Sequence, residues 1–399
     1  MTLPKQYELA WIIICLLALS SALAAQRKPG SSEVHQYQVF TLPNTLGGTN
    51  AGANAINDLG WPMGFADTTG NANSQAIAWI EGKMVKLGTL GGPNSSVAWE
   101  SVKNNQGLIA GISDTSIVQP RGEVWSCVAA GFIPSSGNTC LGFLWRDGVI
   151  SPLPTLGGDN GFATGVNNRG RVIGWAETSL EDPTCNPPQV LQFLPFVYDG
   201  KTETITALQV YPGDSDGTAD TQNDKGQIAG ISGICSNAVG GASAIHAVFW
   251  ENASSTPIDM GNIGGMAWNT PAGMNNKGEV VGFANPSGDQ NAPFNPMAFY
   301  WNQNSGMINL STLAGFTNSI AYGINNQGLI VGQAINSSTG ASHAFIVENG
   351  AMTDLNSLMI GHNSFTLVYA NDVNDYGVIV GGAVDTKTNV ASAFVAIPQ

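Results

Sequence analysis

Short apolar segments alternate with polar turns along the chain from about residue 37 onward, and one unit illustrates the pattern. The segment SIAYGIN at 319–325 runs into a turn and then into LIVGQA at 329–334. A polar loop, HAFIV at 343–347, a tight Glu348-Asn349-Gly350 turn and residues 352–355 complete the unit. Segments this short, bounded by Gly and Asn turns, are typical of β-strands and hairpins. The pattern predicts an all-β fold with four strands in each unit.

This unit occurs seven times, and each copy carries an Asn-(Asn/Asp)-x-Gly turn. A period of about 50 residues matches a propeller blade and exceeds the ~34 residues of common helical repeats. The spacing therefore predicts a seven-bladed β-propeller of four-stranded blades. The glycines of the seven turns lie 47 to 63 residues apart, at Gly60, Gly107, Gly170, Gly226, Gly278, Gly328 and Gly377.

The two ends of the repeat region complement each other. The last copy stops at residues 393–398 (AFVAIP), one strand short of a full unit. Residues 37–42 (YQVFTL) resemble an orphan fourth strand and precede the first Thr-Leu-Gly-Gly step. If this N-terminal strand pairs as the outermost strand of the last blade, the ring closes without an unpaired blade edge. We therefore expect the N-terminal strand to close the ring.

Three phrases recur within the copies and carry a family resemblance. TLGG stands at 45–48, 89–92 and 155–158, and His-Ala-Phe stands at 343–345. The chain resembles the extracellular HAF-repeat family over residues 37–399, although 210–213 and 358–361 depart from TLGG. The resemblance implies a secreted or surface bacterial repeat protein without an agreed ligand or reaction. The NNxG phrase of this family begins here at Asn104, Asn167, Asn275 and Asn325.

The first residues predict export. Residues 1–24 combine a short polar start, an apolar run at 11–19 and small residues before Ala25, which is the pattern of a cleaved signal peptide. The alternative is an uncleaved anchor, but the run is shorter than the ~20 residues of a spanning helix. Residues 25–36 form a short leader, and nothing in 37–399 is apolar enough to span a membrane.

Charge narrows the range of partners. Only 11% of the residues are charged and the formal net charge is −14. Nucleic-acid binding needs clustered Lys and Arg to neutralise phosphates, and the sequence has no such cluster. The same charge disfavours binding to anionic membrane surfaces.

Four cysteines remain after the predicted signal peptide: Cys127, Cys140, Cys185 and Cys235. All four fall in loops between the second and third strands of copies two to four. Four cysteines allow three connectivities, and we favour Cys127–Cys140 within one loop and Cys185–Cys235 between adjacent blades. A zinc site is the alternative, but CxxC spacing and partner histidines are missing.

The search for catalytic residues assigns none, so an enzyme is the less favoured prediction. His246 and His343 occupy the same third-strand position as Leu141 and Met297, which indicates a structural role. No Gly-x-Ser-x-Gly elbow and no phosphate-binding glycine loop is present in the sequence.

One acidic segment suggests a cofactor. Asp214, Asp216 and Asp220 have the spacing of oxygen ligands, and calcium takes six to eight such oxygens. The alternative is a solvated turn, since the bidentate Glu of an EF-hand loop is missing. Calcium is the only cofactor that the sequence suggests.

Four aromatic residues lie at or near the junction between the connecting loop and the first strand: Trp99, Phe162, Trp268 and Phe316. First strands line a propeller channel, so these rings are predicted to offer stacking surfaces at its mouth; packing between blades is the alternative.

Every long insertion falls on that same face, at 113–140, 176–192, 232–245 and 284–296. Loops that vary on a rigid scaffold concentrate binding residues. The face also collects acidic side chains against only Arg121 and Lys387, a balance of −9: Asp67, Asp114, Glu123, Asp159, Glu177, Glu181, Asp182, Asp214, Asp216, Asp289 and Asp385.

These observations predict a secreted binding or interaction module that recognises a glycan or a basic partner on this face. Two alternatives stay open, a structural surface or matrix protein and a polysaccharide lyase or hydrolase. Propellers host all three roles, so the fold does not choose among them.

Overall fold

The computed structural model describes residues 35–97, 103–123, 125–128, 133–238, 245–361 and 364–399. Within these ranges, 28 strands form seven antiparallel sheets of four strands each. The predicted seven-bladed β-propeller is confirmed. The predicted signal peptide at 1–24 and most of the leader lie outside the described residues.

The strands follow one order in blades 1 to 6, with the first strand innermost and the fourth outermost. Blade 1 contains the strands β2 to β5, and the strands of blades 2 to 6 follow in chain order. The bounds in blades 1 to 3 are β2 Gly47–Ile56, β3 Pro62–Thr68, β4 Ser74–Ile80, β5 Lys83–Lys86, β6 Gly91–Ser96, β7 Ile109–Val118, β8 Asn138–Arg146, β9 Val149–Pro152, β10 Gly157–Val166, β11 Arg171–Glu181, β12 Leu191–Asp199 and β13 Thr204–Ala207. The bounds in blades 4 to 6 are β14 Asp216–Gln222, β15 Ile228–Gly233, β16 His246–Trp250, β17 Ile258–Asp259, β18 Thr270–Met274, β19 Val280–Ala284, β20 Met297–Asn302, β21 Gly306–Asn309, β22 Asn318–Ile324, β23 Ile330–Ile335, β24 Ser342–Glu348 and β25 Ala351–Asp354.

Blade 7 closes the ring. It consists of β26 (Phe365–Val373), β27 (Ile379–Asp385), β28 (Ala391–Pro398) and the N-terminal strand β1 (Tyr37–Thr41). The sheet order is β1-β28-β27-β26, and β1 pairs antiparallel with β28 from Tyr37 opposite Pro398 to Thr41 opposite Phe394. The ring closure predicted from the two chain ends is therefore confirmed.

Helical structure in the described residues is confined to single turns. The α-helical turns are α1 (Trp125–Val128) and α2 (Cys235–Ala238), and two 3-10 turns span Thr69–Asn71 and Leu355–Leu358. Across the part of the chain that the structure describes, no helix has the length and hydrophobicity needed to cross a membrane.

The Asn-(Asn/Asp)-x-Gly turns form a closed ring of hydrogen bonds around one end of the channel. In each turn, the Nδ2 of the first Asn donates to the backbone carbonyl of the first Asn in the next blade. Asn374 of blade 7 donates to Asn57 of blade 1 over 3.1 Å and completes the circle. The Oδ1 atoms accept backbone amides of their own turns, as Asn325 does from Gln327 and Leu329. The seven donors are Asn57, Asn104, Asn167, Asn223, Asn275, Asn325 and Asn374.

The second residue of each turn forms another closed ring. Its Oδ1 accepts the backbone amide of the same position in a neighbouring blade, with distances from 2.6 to 2.9 Å. Both Asn and Asp serve here because only an acceptor oxygen is required. The turn motif therefore joins the blades as well as reversing the chain within each one. The members are Asp58, Asn105, Asn168, Asp224, Asn276, Asn326 and Asp375.

A glycine in the second strand of every blade lets the first strand approach closely. A Cβ at these positions would lie only 1.9 to 2.2 Å from a carbonyl oxygen of the first strand. At Gly332 it would also meet the ring of Phe345, the phenylalanine of the His-Ala-Phe phrase, at 2.5 Å. The phenylalanine therefore packs over a position that only glycine can fill. These glycines are Gly64, Gly111, Gly174, Gly230, Gly282, Gly332 and Gly381.

Third-strand tryptophans pack between blades. Trp79 and Trp250 are fully buried, and their indole Nε1 atoms donate to the carbonyls of Pro43 and Gln209. Trp145 joins a cluster with Met63 of blade 1, which links blades 1 and 2. The core is thus divided among the spaces between neighbouring blades.

Candidate functional site

The propeller has two unlike faces. The face with the Asn-(Asn/Asp)-x-Gly turns and the hairpins between third and fourth strands has short turns, and we call it the tight-turn face. The opposite face carries the connections between second and third strands and between successive blades. We call it the insertion face, because the long loops of blades 2 to 5 lie there.

Two disulfides fasten the loops of blades 2 to 4. Cys127 of α1 bonds to Cys140, with a Cα–Cα distance of 5.4 Å. Cys185 of the blade 3 loop bonds to Cys235 of α2 in blade 4, with a Cα–Cα distance of 4.7 Å. Both pairs match the connectivity favoured from the sequence. The second bridge ties neighbouring blades together on the insertion face.

An aromatic group lies on one side of the channel where it opens on this face. We call it the aromatic mouth: Trp268 and Phe283 with Phe294 from blade 5, Tyr322 from blade 6 and Tyr369 from blade 7. The rings of Trp268 and Phe294 lie 4.7 Å apart, and Phe283 meets Phe294 edge-on at 5.7 Å. Trp268, Phe283, Tyr322 and Tyr369 belong to one apolar cluster. The group spans three blades, and its members that reach solvent are Trp268, Phe294 and Tyr369.

The aromatic mouth is partly open to solvent. Phe294 is 47% exposed, the neighbouring Met266 is 50% exposed, and Trp268 and Tyr369 are half-buried. Trp268 has a φ of 65°, a left-handed conformation that is rare for a bulky residue and is often found at functional sites. Its Nε1 donates to the carbonyl of Ala292 over 3.2 Å, which fixes the indole plane.

The deeper tyrosines close the floor of the mouth. The hydroxyl of Tyr322 donates to Oε1 of Gln333 over 2.9 Å. Tyr369 reaches across to blade 1, where its hydroxyl lies against Gly52 of the innermost strand. Burial raises the pKa of Tyr322 and raises the pKa of Tyr369 to about 12, so both phenols stay neutral at ordinary pH.

The structure places the four aromatic residues that were predicted to line the mouth in different surroundings. Trp268 lies in it. Phe162 is fully buried and stacks on Trp175 with ring centroids 4.1 Å apart, so it packs between blades instead of facing a ligand. Phe316 is half-buried and lies 5.0 Å from the ring of His343. Trp99 falls outside the described residues.

The three aspartates of the predicted calcium site have separate surroundings. Asp214 accepts hydrogen bonds from Ser232 Oγ and shares one with His246 Nδ1 at 2.8 Å. Asp216 is fully buried at the start of β14 and accepts the amide of Phe193. Asp220 is buried further along β14 and accepts the hydroxyl of Thr218. Among the described residues, Asp214, Asp216 and Asp220 do not form a common ligand cluster; the group that does combine potential ligand atoms is Cys185, Asp216 and Cys235, whose cysteines are joined in a disulfide.

Buried carboxylates on the insertion face pair with asparagines of the first strand. Asn94 Nδ2 donates to Asp114, and Asn160 Nδ2 donates to Glu177, each over 3.0 Å. Burial raises the pKa of Asp114 and of Glu177, and for Glu177 the nearby charge of Glu123 adds to the effect. These carboxyls therefore hold loops in place from inside the protein.

The charge of this face is smaller than the sequence predicts. Five of the eleven acidic residues are buried: Asp114, Glu123, Glu177, Asp182 and Asp216. Six exposed or half-buried carboxylates remain against Arg121 and Lys387, a balance of −4 instead of −9. Arg121 also forms an ion pair with Asp159 at 2.8 Å. The predicted strongly acidic binding surface is thus reduced by burial.

His246 and His343 each contact an aromatic ring and form a hydrogen bond with a carboxylate. His246 contacts Tyr211 at 4.5 Å, and its hydrogen bond with Asp214 raises the pKa of its imidazole. His343 Nδ1 lies 2.7 Å from Asp354 Oδ2. These contacts agree with the structural role predicted for both histidines.

Five residues at this opening escaped the sequence analysis: Met266, Phe283, Phe294, Tyr322 and Tyr369. Met266 precedes the first strand of blade 5 and Phe294 lies in the loop between its second and third strands, where the repeat pattern does not align them with other copies. Tyr369 lies on a first strand, and first strands line the channel, so its sequence position could have indicated a place beside the channel.

Comparisons with known proteins find distant structural neighbours. No protein-family model and no curated protein matches the chain. The β-propeller domain of the Trilobed protease from Pyrococcus furiosus has 7% identity and a TM-score of 0.49, covering 91% of this chain and 97% of that chain. Oligogalacturonate lyase from Vibrio parahaemolyticus has 8% identity and a TM-score of 0.49, covering 93% and 98%. A Trypanosoma rangeli sialidase has 9% identity and a TM-score of 0.39, covering 79% and 56%. Similarities this distant carry no argument about function.

Proposed function

We propose that this protein is an exported binding module that recognises a glycan at the aromatic mouth. The observation that carries the proposal is the half-exposed ring surface of Trp268, Phe294 and Tyr369 at the channel opening. Aromatic faces offer large contact areas to the apolar faces of other rings. The opening combines apolar ring surface with few polar groups, as ligand sites generally do.

Two further features support a role outside the cytoplasm. The apolar segment within residues 1–24 has the pattern of a signal peptide. The two disulfides fit an oxidising compartment, because such bridges persist mainly in exported proteins. The bridges also hold the insertion-face loops of blades 2 to 4 in fixed positions.

Binding is favoured over hydrolysis by the placement of the carboxyl groups. Glycosidases use two carboxyl groups that flank the scissile bond of the substrate. Here the Glu123 and Glu177 side chains are fully buried, as is Asp216, and Asp182 is nearly so. These two neighbouring pairs, Glu123 with Glu177 and Asp182 with Asp216, are thus enclosed by protein.

A glycan microarray with the exported chain, followed by calorimetry on the best hit, tests the proposal. Trp268→Ala is expected to weaken binding by about 2 kcal/mol, the usual cost of truncating a central aromatic anchor. Tyr376→Ala is the matched control, because Tyr376 is 39% exposed on the tight-turn face. Equal losses in the two variants, or full affinity in Trp268→Ala, would place the ligand elsewhere. Circular dichroism confirms that both variants are folded.

A further inference from the structure

One residue position is used in the same way at three joints between blades. At the start of the first strand, Asn94, Asn160 and Asp216 each accept a backbone amide from the third strand of the preceding blade. The donors are Ser74 at 3.0 Å, Cys140 at 3.1 Å and Phe193 at 2.9 Å. The position therefore ties each blade to its predecessor.

The second atom of this side chain faces a carboxyl group at all three joints. Asn94 and Asn160 donate an amide N–H to Asp114 and Glu177 of their own blades. In blade 3 the second strand supplies Glu177 as the partner of Asn160. In blade 4 the residue of the second strand opposite Asp216 is Gly233, which has no carboxyl group. The facing carboxyl at this joint is instead Asp182, from the loop of blade 3, which lies beside the carboxyl group of Asp216. A carboxylate oxygen of Asp216 also lies within 4.8 Å of the sulfurs of Cys185 and Cys235, so the loop of blade 3, its bridge and Asp216 meet at one point.

An aspartate can replace the asparagine donor only if it keeps a proton. A carboxylate has no hydrogen to donate, whereas a neutral carboxyl has one O–H. Asp216 is fully buried and Asp182 is 8% exposed, so two negative charges would face each other away from water. One shared proton removes that conflict and restores the donor-to-carboxylate bond seen at Asn160.

We propose that Asp182 and Asp216 form a proton-dependent latch between blades 3 and 4, which holds the blade 3 loop down while one proton is shared and releases it when the proton is lost. The latch includes the Cys185–Cys235 bridge and Thr184, whose hydroxyl and carbonyl accept the amides of Cys235 and Ser236. The protein would thereby change the insertion face in response to pH.

The protonation chemistry of the pair agrees with this arrangement. Burial and the hydrogen bond with Asp182 raise the pKa of Asp216 to about 7. For Asp182, burial opposes ionisation, but hydrogen bonds from Asp216, Ser215 and Thr184 outweigh it and lower the pKa to about 2. Asp216 therefore carries the shared proton.

Other charged groups lie on the elements packed against β14. Among the described residues of these elements, none supplies a cation to the pair, and β14 itself carries a further buried carboxyl group, Asp220. Asp214 and His246 bind each other, and Arg171 pairs with Asp199 at the far ends of β11 and β12. The remaining charges on the neighbouring strands are acidic: Asp159 on β10, and Glu177 and Glu181 on β11.

Reduction of the Cys185–Cys235 bridge reports on the latch, because Cys235 is fully buried while the loop is held down. A phosphine reductant is applied to the full-length protein, and differential alkylation with peptide mapping gives the reduction rate of each bridge. The Cys127–Cys140 bridge in the same molecule serves as the reference. Between about pH 5 and about pH 8 we expect the rate ratio to rise roughly tenfold.

Three variants test whether the pH dependence of the reduction rate arises from Asp182 and Asp216. Asp216→Asn carries the asparagine of the other joints, so its ratio should stay constant with pH. Asn160→Asp places an aspartate opposite Glu177 and within 3.7 Å of Cys127 Sγ, so the reduction rate of the Cys127–Cys140 bridge should itself become pH-dependent while the Cys185–Cys235 bridge keeps its response. His246→Gln removes the imidazole beside Asp214 and should retain the wild-type response.

Three outcomes would overturn the proposal. A ratio that is flat with pH in the wild type, or a rise that persists in Asp216→Asn, excludes a latch formed by this pair. Suppression of the rise by millimolar calcium would show that a cation, and not a proton, joins the two carboxylates. Circular dichroism on each variant verifies that the fold is retained.

Discussion

The ring of asparagines on the tight-turn face makes a strong prediction about stability. Replacing Asn325 by Ala removes the bond from its Nδ2 to the carbonyl of Asn374 and the bonds that its Oδ1 accepts from Gln327 and Leu329. The carbonyl partner belongs to a residue that is 1% exposed, and Leu329 is 9% exposed. The backbone carbonyl of Asn374 and the backbone amide of Leu329 would each lose a hydrogen-bond partner that water cannot replace, because both residues are buried. The amide of Gln327 lies in an exposed turn and can be hydrated.

The expected cost follows from those two groups. A buried polar group left without a partner costs about 1–3 kcal/mol. The Asn325→Ala variant should therefore unfold with a free energy about 4 kcal/mol below that of the wild type. Gln327→Ala changes an exposed side chain in the same turn and should lie within about 0.5 kcal/mol of the wild type.

Denaturant unfolding followed by tryptophan fluorescence measures both variants. Asn325→Asp adds a third comparison, because it keeps the acceptor oxygen but places a carboxylate against the Asn374 carbonyl. We expect it to be strongly destabilised near neutral pH and partly restored in acid, where the protonated carboxyl can donate. If Asn325→Ala and Gln327→Ala unfold at the same denaturant concentration, the ring does not hold the blades together.

Three further predictions concern the ends of the ring, the disulfides and a buried carboxyl. Deleting residues 35–42 removes β1 with the buried side chains of Tyr37, Val39 and Leu42, at about 1.5–3 kcal/mol each, and exposes the edge of β28; unchanged thermal stability and a monomeric elution volume would refute closure by this strand. Replacing both cysteines by serine should cost about 3 kcal/mol for the Cys127–Cys140 bridge, which spans 13 residues, and about 4 kcal/mol for the Cys185–Cys235 bridge, which spans 50; denaturant midpoints in the reverse order would contradict the loop-closure argument. Burial raises the pKa of Asp220 to about 7, above its value in the unfolded chain, so its contribution to stability is full below about pH 4 and is lost as pH rises to about 7. Asp220→Asn should therefore flatten part of the fall in melting temperature across that window, and an unaltered pH profile would show that Asp220 does not titrate there.

The architecture was predictable because its signals are local and repeated. Each turn glycine has positive φ, from 75° at Gly60 to 92° at Gly226, so the residue type itself marks the chain reversal. Closure was predictable because the missing strand of the last unit and the orphan strand at 37–42 are both visible in the repeat alignment.

The candidate site was predictable only in part, because side-chain surroundings depend on neighbours from other blades. Phe162 and Trp268 occupy similar sequence positions, but Trp175 of the adjacent strand stacks on Phe162 and buries it. Trp268 instead meets Phe294 at a tilt, with ring centroids 4.7 Å apart, and stays half-buried. Charge counting likewise placed Glu123 and Glu177 on the surface of the insertion face, although both are fully enclosed.

The double role of the turn asparagines also exceeded what the sequence could indicate. Positive φ and turn formation explain an Asn before Gly, and that was the role predicted. The bond from Asn167 Nδ2 to the carbonyl of Asn223 joins residues 56 apart, and only the closed ring brings them together.

Methionine methyl resonances test the proposed binding surface most directly. The chain has ten methionines, and Met266 lies half-exposed beside Trp268 on the insertion face. Met352, at the start of β25, lies at the tight-turn end of blade 6. With methyl-labelled protein, titration of the glycan selected by the array should shift the Met266 resonance and leave Met352 in place. A shift of Met352 with Met266 unchanged would contradict the assignment of the aromatic mouth as the binding site.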